Sequence, residues 1–256
     1  MSEVLKSFKT DSLQVHIFPT TAAMAADAAT NARAIFAAAI AERGSAAAIL
    51  ATGNSQLQFL DALVKAGGVD WSRVTLFHMD EYLGLSANHS ASFRRYMREN
   101  VESKLKPKAF HYMEGDAMEP IAECERYEKA LRAQPIDLCC LGIGENGHLA
   151  FNDPPVADFK DPRWLKIVKL DEACRAQQAG EGHFPNIDAV PQYALTLTIP
   201  ALCSARRMLC IVPEKRKAQA VRDSLKGPVS TKCPGSSLRQ QAHCTLFLDS
   251  DSASLL

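Results

Sequence analysis

Short apolar runs alternate along this chain with longer stretches whose apolar residues recur at helical spacing. Leu13–Phe18, LQVHIF, alternates apolar and polar positions and predicts a first strand. Pro19, Thr20 and Thr21 then open an alanine-rich stretch reaching Arg43, a helix on propensity, with Gly44 as its stop. Residues 46–51, AAAILA, predict a second strand; it breaks at Thr52-Gly53-Asn54-Ser55 and passes into a helical pattern closed by Gly67 and Gly68. VTLFH predicts a third strand, which ends in Met79-Asp80-Glu81-Tyr82. Helices are expected over 91–101 and 120–133, with a short strand near 110–113. Further strands are expected over 165–170, 193–199, 207–212 and 244–248. A short helical piece starts at Pro200, and a helix follows 213–217 and closes at Gly227. Residues 171–183 are mixed and glycine-bearing. Strand and helix alternation of this kind predicts an α/β domain, an open, mainly parallel sheet with helices on both faces.

The stretch 136–154, IDLCCLGIGENGHLAFNDP, stands out. Its first six residues are apolar apart from Asp137, the mark of a strand buried on both faces. Gly142, Gly144 and Gly147 follow, with Glu145, Asn146 and His148 among them and Asn152 and Asp153 just beyond. Ligands of open α/β sheets bind beyond the carboxyl ends of the strands, where this loop sits. The glycine spacing lacks the third glycine and distant acid of a dinucleotide fingerprint, and no GK[ST] follows to make a Walker loop.

Composition narrows the picture. At 256 residues one domain, 1–256, has room for a large core. Lys plus Arg number 29 and Asp plus Glu number 29, so no basic surface for nucleic acid is expected. No apolar run is long enough to span a bilayer and MSEVLKSFKTDS has no apolar signal core, so a cytoplasmic protein with no membrane partner is expected. Eight cysteines occur without a C-x-x-C pair, which predicts reduced, unliganded thiols and no metal.

Polar clusters therefore stand at several strand ends: Thr52–Ser55, Asp80–Glu81, Glu145–Asp153 and Lys217. Small hydroxyls and a glycine at a helix start suit a phosphate, although Thr, Asn and Ser are also ordinary helix caps. With Lys217 and Arg175 that loop would hold one end of a substrate. A carboxylate and a histidine would exchange protons at the other end near neutral pH. Such a set suits isomerisation of a sugar phosphate without metal or organic cofactor.

Four segments carry a family resemblance, in the same order. Leu50 to Ser55 is similar to a PTGGTP phosphate loop, and Phe77 to Leu85 contains MDEY. Gly142 to Pro154 is similar to G-x-G-x-x-GH-x-A-FNEP, and Tyr193 to Thr196 with Lys217-Ala218 match a later strand and a phosphate-binding lysine. In these motifs the chain resembles the glucosamine-6-phosphate deaminase (isomerase) family. The resemblance implies a Rossmann-like sheet and conversion of an amino-sugar phosphate, D-glucosamine 6-phosphate, with water to D-fructose 6-phosphate and ammonia. It implies that His148 opens the pyranose ring, that Asp80 moves the C2 proton to C1, and that Asp153 tunes His148. Phosphate would be held by Thr52, Gly53, Asn54, Ser55, Arg175 and Lys217; Glu81 and Gly144 complete the substrate-binding candidates. Family members range from monomers to hexamers, which leaves a homo-oligomer open.

Four positions depart from the family pattern. Asn146 replaces an acid and can orient His148 only by hydrogen bonding. Asp153 stands where Glu is usual, one C–C bond shorter. Asn54 and Ser55 replace Gly and Thr. A related 6-phosphogluconolactonase shares the GH loop but usually carries Asp-Glu-Arg where this chain has Asp80-Glu81-Tyr82. A sugar-phosphate sensor fused to a DNA-binding segment would need room before the first strand, expected near Leu13.

Overall fold

The computed structural model describes residues 4–256. Its strands are β1 (Lys6–Thr10), β2 (Leu13–Phe18), β3 (Ala46–Leu50), β4 (Val74–His78), β5 (Asp80–Tyr82), β6 (Ala109–His111), β7 (Leu138–Leu141), β8 (Leu165–Lys169), β9 (Tyr193–Leu197), β10 (Arg207–Val212) and β11 (Cys244–Asp249). The helices are α1 (Thr21–Arg43), α2 (Leu57–Lys65), α3 (Phe93–Met97), α4 (Ser103–Leu105), α5 (Pro120–Arg132), α6 (Glu172–Gly180), α7 (Ile199–Cys203) and α8 (Ala218–Lys226).

Eight strands form one sheet in the order β1-β2-β11-β10-β7-β3-β4-β6. Only the β1–β2 pair is antiparallel. The continuous apolar runs are explained by burial on both faces. In β3, Ala46, Ala48 and Leu50 face a core shared with α1 and α2, while Ala47 and Ile49 face a second core with α5 and α8. In β7, Leu138 and Cys140 point one way and Cys139 and Leu141 the other. α1 starts where the Thr20 side chain accepts the Ala23 N–H and stops where Gly44 turns left-handed at φ 76°. Its alanines let it lie close on the sheet, with Ala25, Ala28, Ala29 and Ala32 buried.

The chain leaves β3 toward β4 and β6, then returns to set β7 on the other side of β3 and continues to β10 and β11. The switch point, where connections diverge and a crevice opens, is between β3 and β7.

Three expectations need correction. The first described strand is β1, from Lys6, not one beginning at Leu13. β8 and β9 do not join the main sheet but pair antiparallel with β5 in a sheet of their own, β5-β9-β8. Apolar alternation predicts a strand and is silent about its partner. The helix expected over 91–101 is interrupted by a wider π turn, Arg98–Glu102, where Asn100 Nδ2 donates to the Tyr96 carbonyl and competes with the backbone.

Candidate active site

A narrow cleft opens at the switch point, where ligands of open α/β sheets bind. The loops after β3, β4, β7 and β10 form its floor and α6 its roof.

After β3, Gly53 adopts φ 99°, which an L side chain rarely tolerates, and the chain enters a 3₁₀ turn, Asn54–Gln56, that leads into α2. No side chain caps this turn; the Gln56 and Leu57 N–H groups donate to the Gly53 and Asn54 carbonyls, so an anion would be met by the backbone ahead of them. Thr52, Gly53 and Ser55 line the cleft. Asn54 does not; it turns outward and its amide reaches the Glu181 carbonyl at 3.4 Å. After β10, Lys217 also lines the cleft, buried and without an ion pair among the described residues. Burial holds its ammonium below the ordinary lysine range, countered in part by Glu181. A buried cation without a counterion of its own is a place for an anionic ligand.

At the other end, β5 alternates its side chains across the sheet. Asp80 points into the cleft, 6% exposed, and its Oδ1 has no hydrogen-bond partner. Burial, and then the charge of Glu81, raise its pKa well above the ordinary carboxylate value. Glu81 points the opposite way. It accepts hydrogen bonds from Ser92 Oγ (2.8 Å) and from the backbone N–H of Tyr82, Phe93 and Arg94, and pairs with Arg94 Nε at 3.3 Å. The expectation that Glu81 meets substrate gives way to this role, a buried cap on α3.

After β7, the His148 imidazole lies over Gly144, where an added Cβ would overlap the ring. His148 Nδ1 is 3.0 Å from Asp153 Oδ1, bent off the N–H direction. Asn146 bridges the pair: its Nδ2 donates to Asp153 Oδ1 at 3.0 Å and its Oδ1 accepts the His148 backbone N–H at 3.1 Å. The Asp171 N–H, at the start of α6, donates to Asp153 Oδ2 at 3.3 Å. Burial pushes the Asp153 carboxyl up, but His148, Asn146 and the Asp171 amide outweigh it and hold the pKa below the usual range. The neutral Asn146 thus supports both groups without adding charge.

Arg175 is not brought to the cleft. Its guanidinium donates to the Ile187 and Val190 carbonyls at 2.6 and 3.2 Å and lines a separate depression. At about 100° per residue it lies roughly 200° around α6 from Gln177, which does face the cleft. Gln177, Gln178 and Glu181 form the roof, and nothing in their residue types singled them out. Gln178 Oε1 accepts the Tyr82 hydroxyl at 2.7 Å. Glu181 pairs with Arg216 at 2.9 Å; burial raises its pKa, but His183, Gln177, Arg216 and Lys217 outweigh that and lower it to about 2.

All eight cysteines are free, as expected. One of them, Cys174, lies beside His148 and Asp153 in the one group of metal-ligating side chains among the described residues.

A family model described as glucosamine-6-phosphate isomerases/6-phosphogluconolactonase matches residues 19–247. The chain belongs to that family. Members similar to it include a glucosamine-6-phosphate deaminase of Listeria monocytogenes serotype 4a, 37% identical over 207 residues, 81% of this chain and 86% of the relative. One from Exiguobacterium sibiricum is 37% identical over 81% of this chain and 80% of its own. A solved family structure, a monomeric glucosamine-6-phosphate deaminase, superposes with a TM-score of 0.84 at 32% identity, covering 94% of this chain and 99% of that one. A 6-phosphogluconolactonase from Shewanella baltica shares the fold, with a TM-score of 0.76 at 18% identity. The family thus confirms an enzyme built on an open α/β sheet. No helix of the described residues is long and apolar enough to cross a membrane.

Proposed function

We propose that this chain is a glucosamine-6-phosphate deaminase, converting D-glucosamine 6-phosphate and water to D-fructose 6-phosphate and ammonia. The observation that carries the reading is the pairing of unmet charges in one cleft: a buried lysine without a carboxylate at one end and a buried carboxylate without a donor at the other. Lys217 and the loop of Thr52, Gly53 and Ser55 bind the phosphate. The sugar then extends toward Asp80 and His148.

His148, oriented by Asp153 and Asn146, passes a proton at the ring oxygen and opens the pyranose. Asp80 takes the C2 proton of the open-chain aldose. Its raised pKa makes it a stronger base than an exposed carboxylate and lets it hold the proton until delivery to C1. The resulting C2 imine adds water, the C–N bond breaks, and ammonia leaves as the C2 ketone forms.

The test is ammonia release from glucosamine 6-phosphate by the purified chain, with 6-phosphogluconolactone as the comparison. Lactone hydrolysis without ammonia would replace the proposal with the lactonase reaction, and tight sugar-phosphate binding without turnover would replace it with a sensor. Lys217→Met should raise KM about 10- to 150-fold, the loss of one charge-assisted hydrogen bond worth about 1.5–3 kcal/mol, and lower kcat much less. An unchanged KM removes Lys217 from the phosphate site.

A further inference from the structure

We propose that His148, Asp153 and Cys174 form a binding site for a divalent cation of the zinc class, and that its occupation stops proton transfer by His148. A ring nitrogen, a carboxylate oxygen and a thiol sulfur, one from each, lie within 4.8 Å of one another, and all three residues are buried. The N, O and S donor set is that of zinc, not of calcium or magnesium. His148 Nδ1 and Asp153 Oδ1 lie 3.0 Å apart but off the N–H direction, so a nitrogen and an oxygen already stand side by side as candidate ligands. The carboxylate and the thiol are tied to one rigid element: Cys174 stands in the first turn of α6, whose leading Asp171 amide holds the Asp153 carboxylate.

Zinc bond lengths place tetrahedral ligand atoms about 3.3–3.6 Å apart. Closing the three donors from at most 4.8 Å takes a contraction of about 1 Å, within reach of side-chain rotation. The ion arrives through the cleft that His148 lines. The Cys174 thiol gives its proton to solvent on binding, and the neutral imidazole keeps its remaining proton on the far nitrogen. A ring nitrogen and the Asp153 oxygen then serve the ion and not the ring's proton. Such an ion is an inhibitor, not a resident cofactor. This inhibitory half rests on the proposed role of His148; the binding half does not.

The experiment uses the full chain and cobalt(II) as a spectroscopic stand-in. Equilibrium dialysis should find one tight cobalt per chain, with a thiolate-to-cobalt absorption in the near ultraviolet that zinc abolishes by displacement. Cys174→Ser should lose that absorption while keeping metal-free turnover. It should also raise the zinc concentration for half-inhibition at least about tenfold, since even outer-shell changes cost 10–100-fold in affinity. Parent-like absorption in Cys174→Ser, or none in the parent, overturns the site. A cobalt-thiolate signature with undiminished ammonia release confirms the site and overturns the inhibitory step.

Discussion

Replacing Asp80 by Asn keeps the shape of the side chain and removes its charge and basicity. In the cleft the carboxylate is 6% exposed with Oδ1 unpartnered, so the change touches the reacting group and little else. Loss of a positioned general base costs about 10²–10⁴ in rate, or roughly 2.7–5.5 kcal/mol of barrier. Lys217 and the β3 loop are untouched, so substrate affinity should stay within about threefold of the parent. Stability should move the other way. The raised pKa means that the folded state holds this proton more tightly than the unfolded chain. Asp80 therefore contributes most below the ordinary carboxylate range, and its contribution is lost as pH rises through the raised value. Asn does not ionise, so the variant gains on the parent as pH rises. A gain of about 1 kcal/mol, the low end for a buried unpaired polar group, raises Tm by about 2–4 °C. Coupled ammonia assays, substrate titration calorimetry and scanning calorimetry from about pH 4 to about pH 8 measure all three. Activity within tenfold of the parent would refute the proton-transfer role; a Tm difference that ignores pH would refute the buried charge.

Gly144→Ala should leave the fold intact and lower kcat/KM by about 10²-fold, since its Cβ displaces the His148 ring by an ångström or more; parent-like kinetics would mean that the imidazole does not work from this position. Glu81→Gln should destabilise the protein by about 3–5 kcal/mol in urea unfolding, because it breaks a buried ion pair and unsettles the α3 cap; a loss under about 1 kcal/mol would show that the cap carries little energy. His78 is held to a pKa of about 3 by burial, with Met113 N–H donating to its Nε2 at 2.8 Å. The unfolded chain titrates near 6.5, so this contribution is complete above that value and is lost as pH falls toward about 3, at about 1.4 kcal/mol per pH unit. His78→Gln should flatten that slope in urea midpoints measured across the window, and an unchanged slope would assign it to other groups.

Apart from the edge strand β1, the strands of the main sheet and the clusters at their carboxyl ends were legible in the residues themselves. A parallel strand buried on both faces must be apolar along its whole length, so its end is marked by the first polar or glycine residue. That is why Thr52, Asp80, His148 and Lys217 could be named before any contact was known. The side of an element that a residue occupies was not legible. Asp80 and Glu81 are chemically alike neighbours, and only the register of β5 against Leu195 and Thr196 sends one to the cleft and the other to α3. The rotation of α6 likewise turns Arg175 away and brings Gln177, Gln178 and Glu181 over the cleft. It also sets Cys174 beside a histidine and an aspartate that stand more than twenty residues earlier in the chain. Local patterning determines backbone conformation because it acts through neighbours; the direction of a side chain is decided by partners distant in sequence, and those exist only once the chain has packed.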